Sequence, residues 1–215
     1  VRDCGSVVSI AVLKAIGVNG DGKREILGVS ASLSEAEVHW RTFLEKLQVR
    51  GLKGVELIIS DDHSGLKAAL RAVLTSVKWQ RCIFHMAQNA QAYSNKKSMR
   101  EEIAQSVQDI FNSPSKADAL DMMKSVALDF LDKAPKFSNW LESNIEEGLT
   151  FMNFPREYWQ KLRTVNTVER LHREIRRRTK VVSIFPNPES CLRLITALLQ
   201  EQHEDWINGH KFLNL

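Results

Sequence analysis

The chain has 215 residues, of which 43% are hydrophobic and 26% are charged, the balance of an ordinary globular protein. No apolar run approaches the roughly 18 residues of a membrane span, the opening VRDCGSVVSI lacks the features of a signal peptide, and three cysteines are too few for a disulfide scaffold and favour a reducing cytoplasm. The formal net charge of +4 is only mildly basic, so a polyanionic partner would require positive charge concentrated in one place.

The first half of the chain predicts elements in the order β-β-α-β-α-β-α, which indicates a mixed sheet with helices packed on it. Asn-Gly and Asp-Gly in NGDG, 19–22, supply the positive φ angles of a tight hairpin turn. Ser34 and Glu37 have capping-box spacing and predict a helix from Ser34 to about Leu47. The predicted strands are 6–18, 24–33, 55–59 and 77–85, and the predicted helices are 34–47, 64–75 and 86–93.

From Ser98 the strand signals stop for about sixty residues, and three helical patterns separated by Pro114 and Pro135 follow. This block predicts an all-α insertion within an α/β core. A basic helix over about 164–178 and a last helix over about 189–207 complete the chain. The expected divisions are 1–95 for the first part of the core, 96–158 for the α-helical insertion, and 159–215 for the C-terminal helices of the core.

Two aspartates and a histidine, Asp61, Asp62 and His63, directly follow the predicted strand 55–59. Aspartate is a favoured N-cap, and a carboxylate at a helix N-terminus is stabilising by about 0.3–1 kcal/mol, so capping explains one of the two aspartates. In open α/β sheets, ligand sites form outside the carboxyl ends of strands, so a carboxylate here is also well placed to bind a metal ion. On this stretch alone, the capping interpretation is favoured.

Cys82 and His85 form a C-x-x-H pair in WQRCIFHMAQNA. This is the spacing of half a zinc site, but the sequence has no second Cys/His pair of suitable spacing, and Cys4 and Cys191 are isolated. A structural zinc site is therefore not expected. The remaining interpretation of the residues themselves is a buried cysteine and a hydrogen-bonded histidine where a strand passes into a helix.

The stretch RTVNTVERLHREIRRRTK, 163–180, predicts an amphipathic helix with Glu169 at the edge of its buried face. That face is formed by Val165, Val168, Leu171 and Ile175. A Glu169–Arg173 pair would contribute only about 0.3–0.5 kcal/mol and does not explain the density of positive charge. Such charge repels itself unless it is solvated or faces a polyanion. The residues of this basic cluster are Arg170, Arg173, Arg176, Arg177, Arg178 and Lys180.

Three motifs taken together resemble the bacterial Mutator-type insertion-sequence transposases of the DDE class: ISDDHSGLKAAL, WQRCIFHMAQNA and RTVNTVERLHREIRRRTKVVSIFPN. The opening VVSIAVLKAIGVNGDGKREILGV is also similar to that family, so the resemblance covers essentially the whole chain. It implies an RNase H-like mixed sheet with flanking helices and an all-α insertion before the last catalytic helix. It also implies the catalytic domain of a transposase, which cleaves DNA with the help of metal ions and transfers the strands of an insertion sequence.

The resemblance places two of the family's three metal-binding carboxylates on Asp61 and Glu169. Two Mg²⁺ or Mn²⁺ ions are expected in the intact triad, in keeping with the preference of Mg²⁺ for oxygen ligands. The C-x-x-H signature of the family falls on Cys82 and His85, which become candidate catalytic residues, with His85 orienting DNA or a carboxylate. The basic cluster is expected to bind DNA phosphates.

The chain departs from the family pattern at the first aspartate of the triad. Val1 and Arg2 are similar to the end of the strand that carries this aspartate, and Asp3 lies in the turn that follows. The first aspartate is therefore expected upstream of residue 1, together with an N-terminal DNA-binding region. With two-thirds of its triad, the chain alone is expected to be inactive.

The resemblance further implies transposon ends and target DNA as partners, no membrane partner, a homo-oligomer when full length, and a cytoplasmic, nucleoid-associated location. Two alternatives stay open. The chain could be a non-catalytic DNA-binding remnant of a transposase, or an RNase H-fold nuclease that hydrolyses DNA without joining it.

Overall fold

The computed structural model describes residues 1–3, 5–94 and 96–215 as a mixed α/β protein. In these residues the strands are β1 (Arg2–Asp3), β2 (Ser6–Val7), β3 (Ala11–Val18), β4 (Arg24–Ser32), β5 (Leu57–Ser60) and β6 (Lys78–Arg81). The helices are α1 (Glu37–Val49), α2 (Ser64–Val73), α3 (Ile83–Gln91), α4 (Lys97–Phe111), α5 (Lys116–Asp129), α6 (Pro135–Asn144), α7 (Trp159–Leu162), α8 (Asn166–Val182) and α9 (Pro188–Asn208). Short 3-10 helices lie at Ile145–Gly148, Thr150–Asn153 and Arg156–Tyr158. None of the helices described here is long and apolar enough to cross a membrane.

The described strands pair two by two. β1 and β2 are antiparallel, β3 and β4 are antiparallel, and β5 and β6 are parallel. The α/β class is confirmed, whereas the joining of these pairs into one RNase H-like mixed sheet stays a prediction. The strand expected over 6–18 is divided into β2 and β3, because its first part turns back on the chain start, where the Val8 N–H donates to the Val1 carbonyl at 2.8 Å.

The chain forms two compact units, each described separately below. The first unit comprises Val1–Gly54, His63–Thr75 and Asn166–Leu215, and the second comprises Val55–Asp62 and Ser76–Val165. The sequence-based divisions after residues 95 and 158 stay predictions.

The β3–β4 hairpin is the centre of the first unit. The Oδ1 atom of Asn19 accepts the N–H groups of Asp21 and Lys23 at 3.1 and 3.0 Å, so the predicted NGDG turn is present. Side chains alternate along β3: Leu13 packs with Phe43 and Leu47 of α1 on one face, and a second cluster covers the other face. That second cluster includes Val12, Ile16, Leu171, Ile175, Ile195 and Leu199. The hairpin is therefore covered on both faces, as its apolar sequence predicts.

Helix α1 begins at Glu37 and not at the predicted Ser34. Ala36 precedes the helix, and the Ser34 hydroxyl accepts the Ala36 N–H at 3.3 Å, so Ser34 is used in a local turn and the predicted capping box does not form. Val38, in the first turn of α1, is 61% exposed, whereas Phe43 is buried.

The second unit has a helical core. Buried side chains from α4, α5 and α6 surround Phe137, whose ring meets that of Phe130 edge-on with centroids 5.0 Å apart. Pro135 occupies the first turn of α6, where the missing N–H of proline costs no hydrogen bond. The predicted run of helices after Ser98 is thus present, and β5 and β6 belong to the same unit.

Gly65, in the first turn of α2, lies against the backbone that leads into α1. A Cβ atom at this position would be 2.4 Å from the Glu35 carbonyl oxygen and 2.9 Å from the Glu37 nitrogen. We expect Gly65→Ala to lower the free energy of unfolding by about 1–3 kcal/mol, because backbone atoms cannot rotate away as a side chain does. Urea denaturation measures this. Gly20→Ala is the control, since nothing lies within 4 Å of its added Cβ; equal losses in the two variants would contradict the packing argument.

Candidate functional site

Asp61 directly follows β5, at the carboxyl end of the parallel pair β5–β6. Ser60, the last residue of β5, is in register with Arg81, and its carbonyl accepts the Cys82 N–H at 2.7 Å. The Ser60 hydroxyl accepts the Trp79 indole N–H at 2.9 Å and donates to the Asp61 carbonyl at 2.8 Å. These bonds fix the backbone at the strand end, and Asp61 is exposed there.

Cys82 and His85 lie where β6 passes into α3. Cys82 is the residue before the helix and is fully buried, and its thiol is free. His85 is in the first turn and half-buried, with its ring edge-on to that of Phe84 at a centroid distance of 5.5 Å. Because β5 and β6 are parallel, Asp61, Cys82 and His85 follow the same end of the pair. A catalytic role for Cys82 or His85 stays a prediction.

Arg81 places a buried positive charge beside this strand end. Its side chain is 3% exposed, and Nη1 lies 3.1 Å from Oδ2 of Asp62, 3.3 Å from Oε2 of Glu147 and 2.9 Å from Oδ1 of Asn144. A charge removed from water requires such partners. Both Asp61 and Asp62 are exposed, but Asp62 is held by an ion pair, whereas Asp61 forms none among the described residues.

The expected side-chain cap of α2 is not observed in the described residues. His63 occupies the N-cap position and makes no side-chain capping bond. Its Nε2 atom instead lies 3.6 Å from Oε2 of Glu35, within the first unit.

Glu169 lies in the first turn of α8, in the first unit. Its side chain is 37% exposed, and its Oε1 is 3.8 Å from Nδ1 of His172. Leu171 and Ile175 are buried and pack in one cluster with residues of α9, as their helical spacing predicts. Glu169 therefore stands at the edge of the buried face of α8.

Lys14 of β3 adds a cation near Glu169 that the sequence motifs do not mark. Its pKa is lowered from 10.5 to about 8, chiefly by burial and also by Arg176, against the opposing effects of Glu169 and Glu35, which raise it. These effects show that Lys14 lies within electrostatic range of the predicted acidic and basic residues of α8. The signal available in the sequence is one charged residue in an otherwise apolar strand.

The basic cluster is exposed along α8, and Glu174 partly neutralises it. Nε and Nη2 of Arg177 lie 2.9 and 2.8 Å from the two Glu174 carboxylate oxygens, and Nε of Arg178 lies 2.8 Å from Oε1. These hydrogen bonds lower the pKa of Glu174 to about 2. The cluster members that form no ion pair among the described residues are Arg170, Arg173, Arg176 and Lys180.

The carboxylates of Asp61 and Glu169 fit the chemistry of a divalent metal ligand. Both are accessible to solvent, and carboxylate oxygen is the donor that Mg²⁺ and Mn²⁺ prefer. The Cys82 thiol does not fit, since sulfur is a poor ligand for these ions and the side chain is fully buried. Within the described ranges, no group of three or more His, Cys, Asp or Glu side chains is arranged to hold a metal ion.

Comparison with known proteins gives one consistent result. The family model described as "Transposase, Mutator family" matches residues 1–209. The chain is 50% identical over 214 residues to the transposase for insertion sequence element IS406 of Burkholderia multivorans, covering 100% of this chain and 55% of that protein. It is 42% identical over 219 residues to the ISRM5 transposase of Rhizobium meliloti, covering 100% of this chain and 54% of the relative.

A third relative agrees with these two. The transposase for IS256 in transposon Tn4001 of Staphylococcus aureus is 38% identical over 221 residues, again covering 100% of this chain and 55% of the relative. The chain thus spans about half the length of these curated relatives.

We expect Arg81→Met to lower the free energy of unfolding by about 3 kcal/mol, at the lower end of the range for a broken buried ion pair. The substitution removes the buried cation that Asp62 and Glu147 share, but both carboxylates keep some solvent contact. Chemical denaturation measures the loss. Lys133→Met is the control, because Lys133 and Glu102 pair at 3.3 Å while about half exposed, and such pairs contribute at most about 1 kcal/mol. A loss for Arg81→Met no larger than the control's would contradict the role of the buried cation.

We expect Lys14→Met to raise stability at pH 7 and to lose this advantage as the pH rises from about 8 to 10.5. In that window the unfolded chain binds more protons at Lys14 than the folded chain does, so the stability of the unsubstituted protein rises with pH. Denaturation at pH 7 and pH 10 tests the difference between the two proteins. Lys97→Met, at a side chain 91% exposed, should show no such trend. A difference between Lys14→Met and the unsubstituted protein that is independent of pH would contradict the lowered pKa.

Proposed function

Because the chain belongs to the Mutator family of transposases, we propose that it forms the catalytic region of a DNA transposase that cleaves and joins the ends of an insertion sequence. The observation that carries the proposal is the exposed Asp61 carboxylate on a fixed backbone at the carboxyl end of β5–β6. Transposon ends and target DNA are the proposed partners, and the full-length protein is proposed to be a homo-oligomer.

The proposed core is RNase H-like and of the DDE type. It is supported by the chain order of an antiparallel hairpin, β3–β4, then a parallel pair, β5–β6, then the helices α4–α6, and finally α8 with Glu169. This is the order that the family resemblance implies.

In the proposed mechanism, Asp61 and Glu169 are ligands of divalent metal, which when bound stabilises charge on the attacking and leaving oxygens of a phosphodiester. Asp61 needs little reorganisation for this role, since the Ser60 and Cys82 hydrogen bonds already fix its backbone. Asp62 is less available, because it is paired with Arg81. Glu169 reaches solvent from a helix whose other face is anchored in the core.

The basic cluster holds DNA phosphates in this proposal. Its exposed guanidinium groups suit phosphate oxygens, and each phosphate contact releases counterions, so binding should weaken steeply with salt. Water would attack a phosphodiester at the end of the element, breaking its P–O3′ bond to leave a 3′-hydroxyl and a 5′-phosphate. That 3′-hydroxyl would then attack a target phosphodiester, forming a new P–O bond as the target's own P–O3′ bond breaks and leaves a target 3′-hydroxyl. His85, half-buried at the same strand end as Asp61, would orient DNA or a carboxylate.

The proposal predicts that Asp61→Asn and Glu169→Gln each lower strand transfer more than about 100-fold in the full-length protein, because each removes a charged oxygen ligand from the reacting centre. DNA binding and thermal stability should change little. Strand transfer is measured as joined products from labelled transposon ends and target DNA with Mg²⁺ or Mn²⁺.

Matched controls are Asp21→Asn, in an exposed turn, and Glu174→Gln, on the same helix as Glu169. Both should keep strand transfer within a few-fold of the unsubstituted protein. Joining at the unsubstituted rate by either ligand variant would refute the assignment. If the unsubstituted full-length protein cleaves DNA without joining it, a nuclease is favoured. If it binds DNA and does neither, a non-catalytic remnant is favoured.

A further inference from the structure

The end of α8 exposes aliphatic side chains beside the basic cluster. Val181 is 86% exposed, Val182 42% and Ile184 47%, in four successive residues that we call the apolar tip, 181–184. Side chains of this type are normally withdrawn from water, and a contiguous group of them marks a surface that contacts something else.

The backbone of the apolar tip has a strained and defined conformation. Ser183 has a φ of 66°, and the Ile184 N–H donates to the Val182 carbonyl at 2.9 Å. A hydrogen bond from a residue to the second one before it, around a positive central φ, is the pattern of the rarer γ-turn. Strain of this kind persists only where the surroundings impose it, and it concentrates at functional sites.

Anchored segments flank the apolar tip on both sides. Before it, Ile175 of α8 is buried, and after it, Phe185 is buried with its carbonyl accepting the Arg2 N–H at 2.8 Å. Asn187 then caps α9 by accepting the Ser190 N–H at 2.8 Å. The tip therefore lies between two segments that are anchored in the first unit.

The positive charges next to the apolar tip indicate which kind of partner can cover it. Arg176 and Lys180 precede Val181 by five positions and one position, both are exposed, and neither forms an ion pair among the described residues, whereas Arg177 and Arg178 are already paired with Glu174. A protein surface that covered the aliphatic side chains would also remove these cations from water and would have to supply acidic partners for them. DNA supplies phosphates for the cations and, between its bases, an apolar face for the aliphatic groups.

We infer that the apolar tip is a wedge that inserts against bases of the DNA held by the basic cluster and unstacks them. Aliphatic wedges of this kind open base steps and kink the duplex. The inference rests on the proposed function for the identity of the ligand, and it adds a second mode of contact to phosphate binding. A local opening would expose the phosphodiester next to the unstacked step.

The test uses the full-length protein and duplexes of the element's terminal repeat, with a single 2-aminopurine placed at successive positions. The unsubstituted protein should raise 2-aminopurine fluorescence at one step on binding, because unstacking relieves quenching. The double variant Val181→Ser and Ile184→Ser should lose most of that rise while its affinity for the duplex falls less than about tenfold, since the phosphate contacts remain.

Val49→Ser is the matched control, because Val49 also ends a helix and is 89% exposed. It should keep the full fluorescence rise. An undiminished rise in the tip variant would overturn the wedge. A tip variant that still unstacks DNA but changes its oligomeric state in light scattering would also overturn it, and would assign the tip to a contact between copies.

The two proposals can fail separately. Binding and unstacking without joined products would overturn the transposase assignment and support the wedge. Joined products without any unstacking would overturn the wedge and support the transposase assignment.

Discussion

The contacts of the buried Arg81 guanidinium with Asp62, Asn144 and Glu147 hold the strand end and the helices of the second unit together. Removing a cation from water costs several kcal/mol unless partners surround it, and here those partners come from two distant stretches of chain. Asp62 lies at the strand end, while Asn144 is the last residue of α6 and Glu147 lies in the 3-10 helix that follows it. Neither stretch can satisfy the charge alone, so the helices are fixed to the strand that they pack on. The neutral side chain of Gln80 adds to this by bonding the Gly148 carbonyl and the Phe151 N–H.

Sequence predicts those features here that depend on neighbours within one turn or one strand. The NGDG hairpin, the burial of Leu171 and Ile175 on α8 and the run of helices after Ser98 are all observed, because apolar period and turn chemistry act locally. The start of α1 shows the limit of local reasoning. Ser34 has the right spacing for a cap, but its hydroxyl instead accepts the N–H of Ala36, two residues later in the chain.

The sequence does not indicate which charged residues, far apart in the chain, lie close together in the folded protein. Lys14 is the one charged residue of the apolar strand β3, whereas Arg81 ends the largely polar strand KWQR, and neither pattern indicates whether the charge is exposed, paired or buried. Their surroundings come from residues 155 and 66 positions away, Glu169 and Glu147 respectively (169 − 14 and 147 − 81). The environments of Asp61 and Asp62 differ for the same reason: both residues are exposed, but Asp62 is held by a cation 19 positions away in the chain (81 − 62).

Glu174 occupies guanidinium groups of the basic helix α8 that a DNA phosphate would otherwise bind. A phosphate that approaches Arg177 or Arg178 meets a guanidinium already bonded to a carboxylate that stays ionised down to acidic pH. If this helix binds DNA as proposed, phosphate must displace Glu174, and the net gain from each such contact is smaller than for an unpaired arginine. The affinity for duplex DNA that offers only phosphate contacts would therefore be lower, and the protein would dissociate more quickly from such DNA.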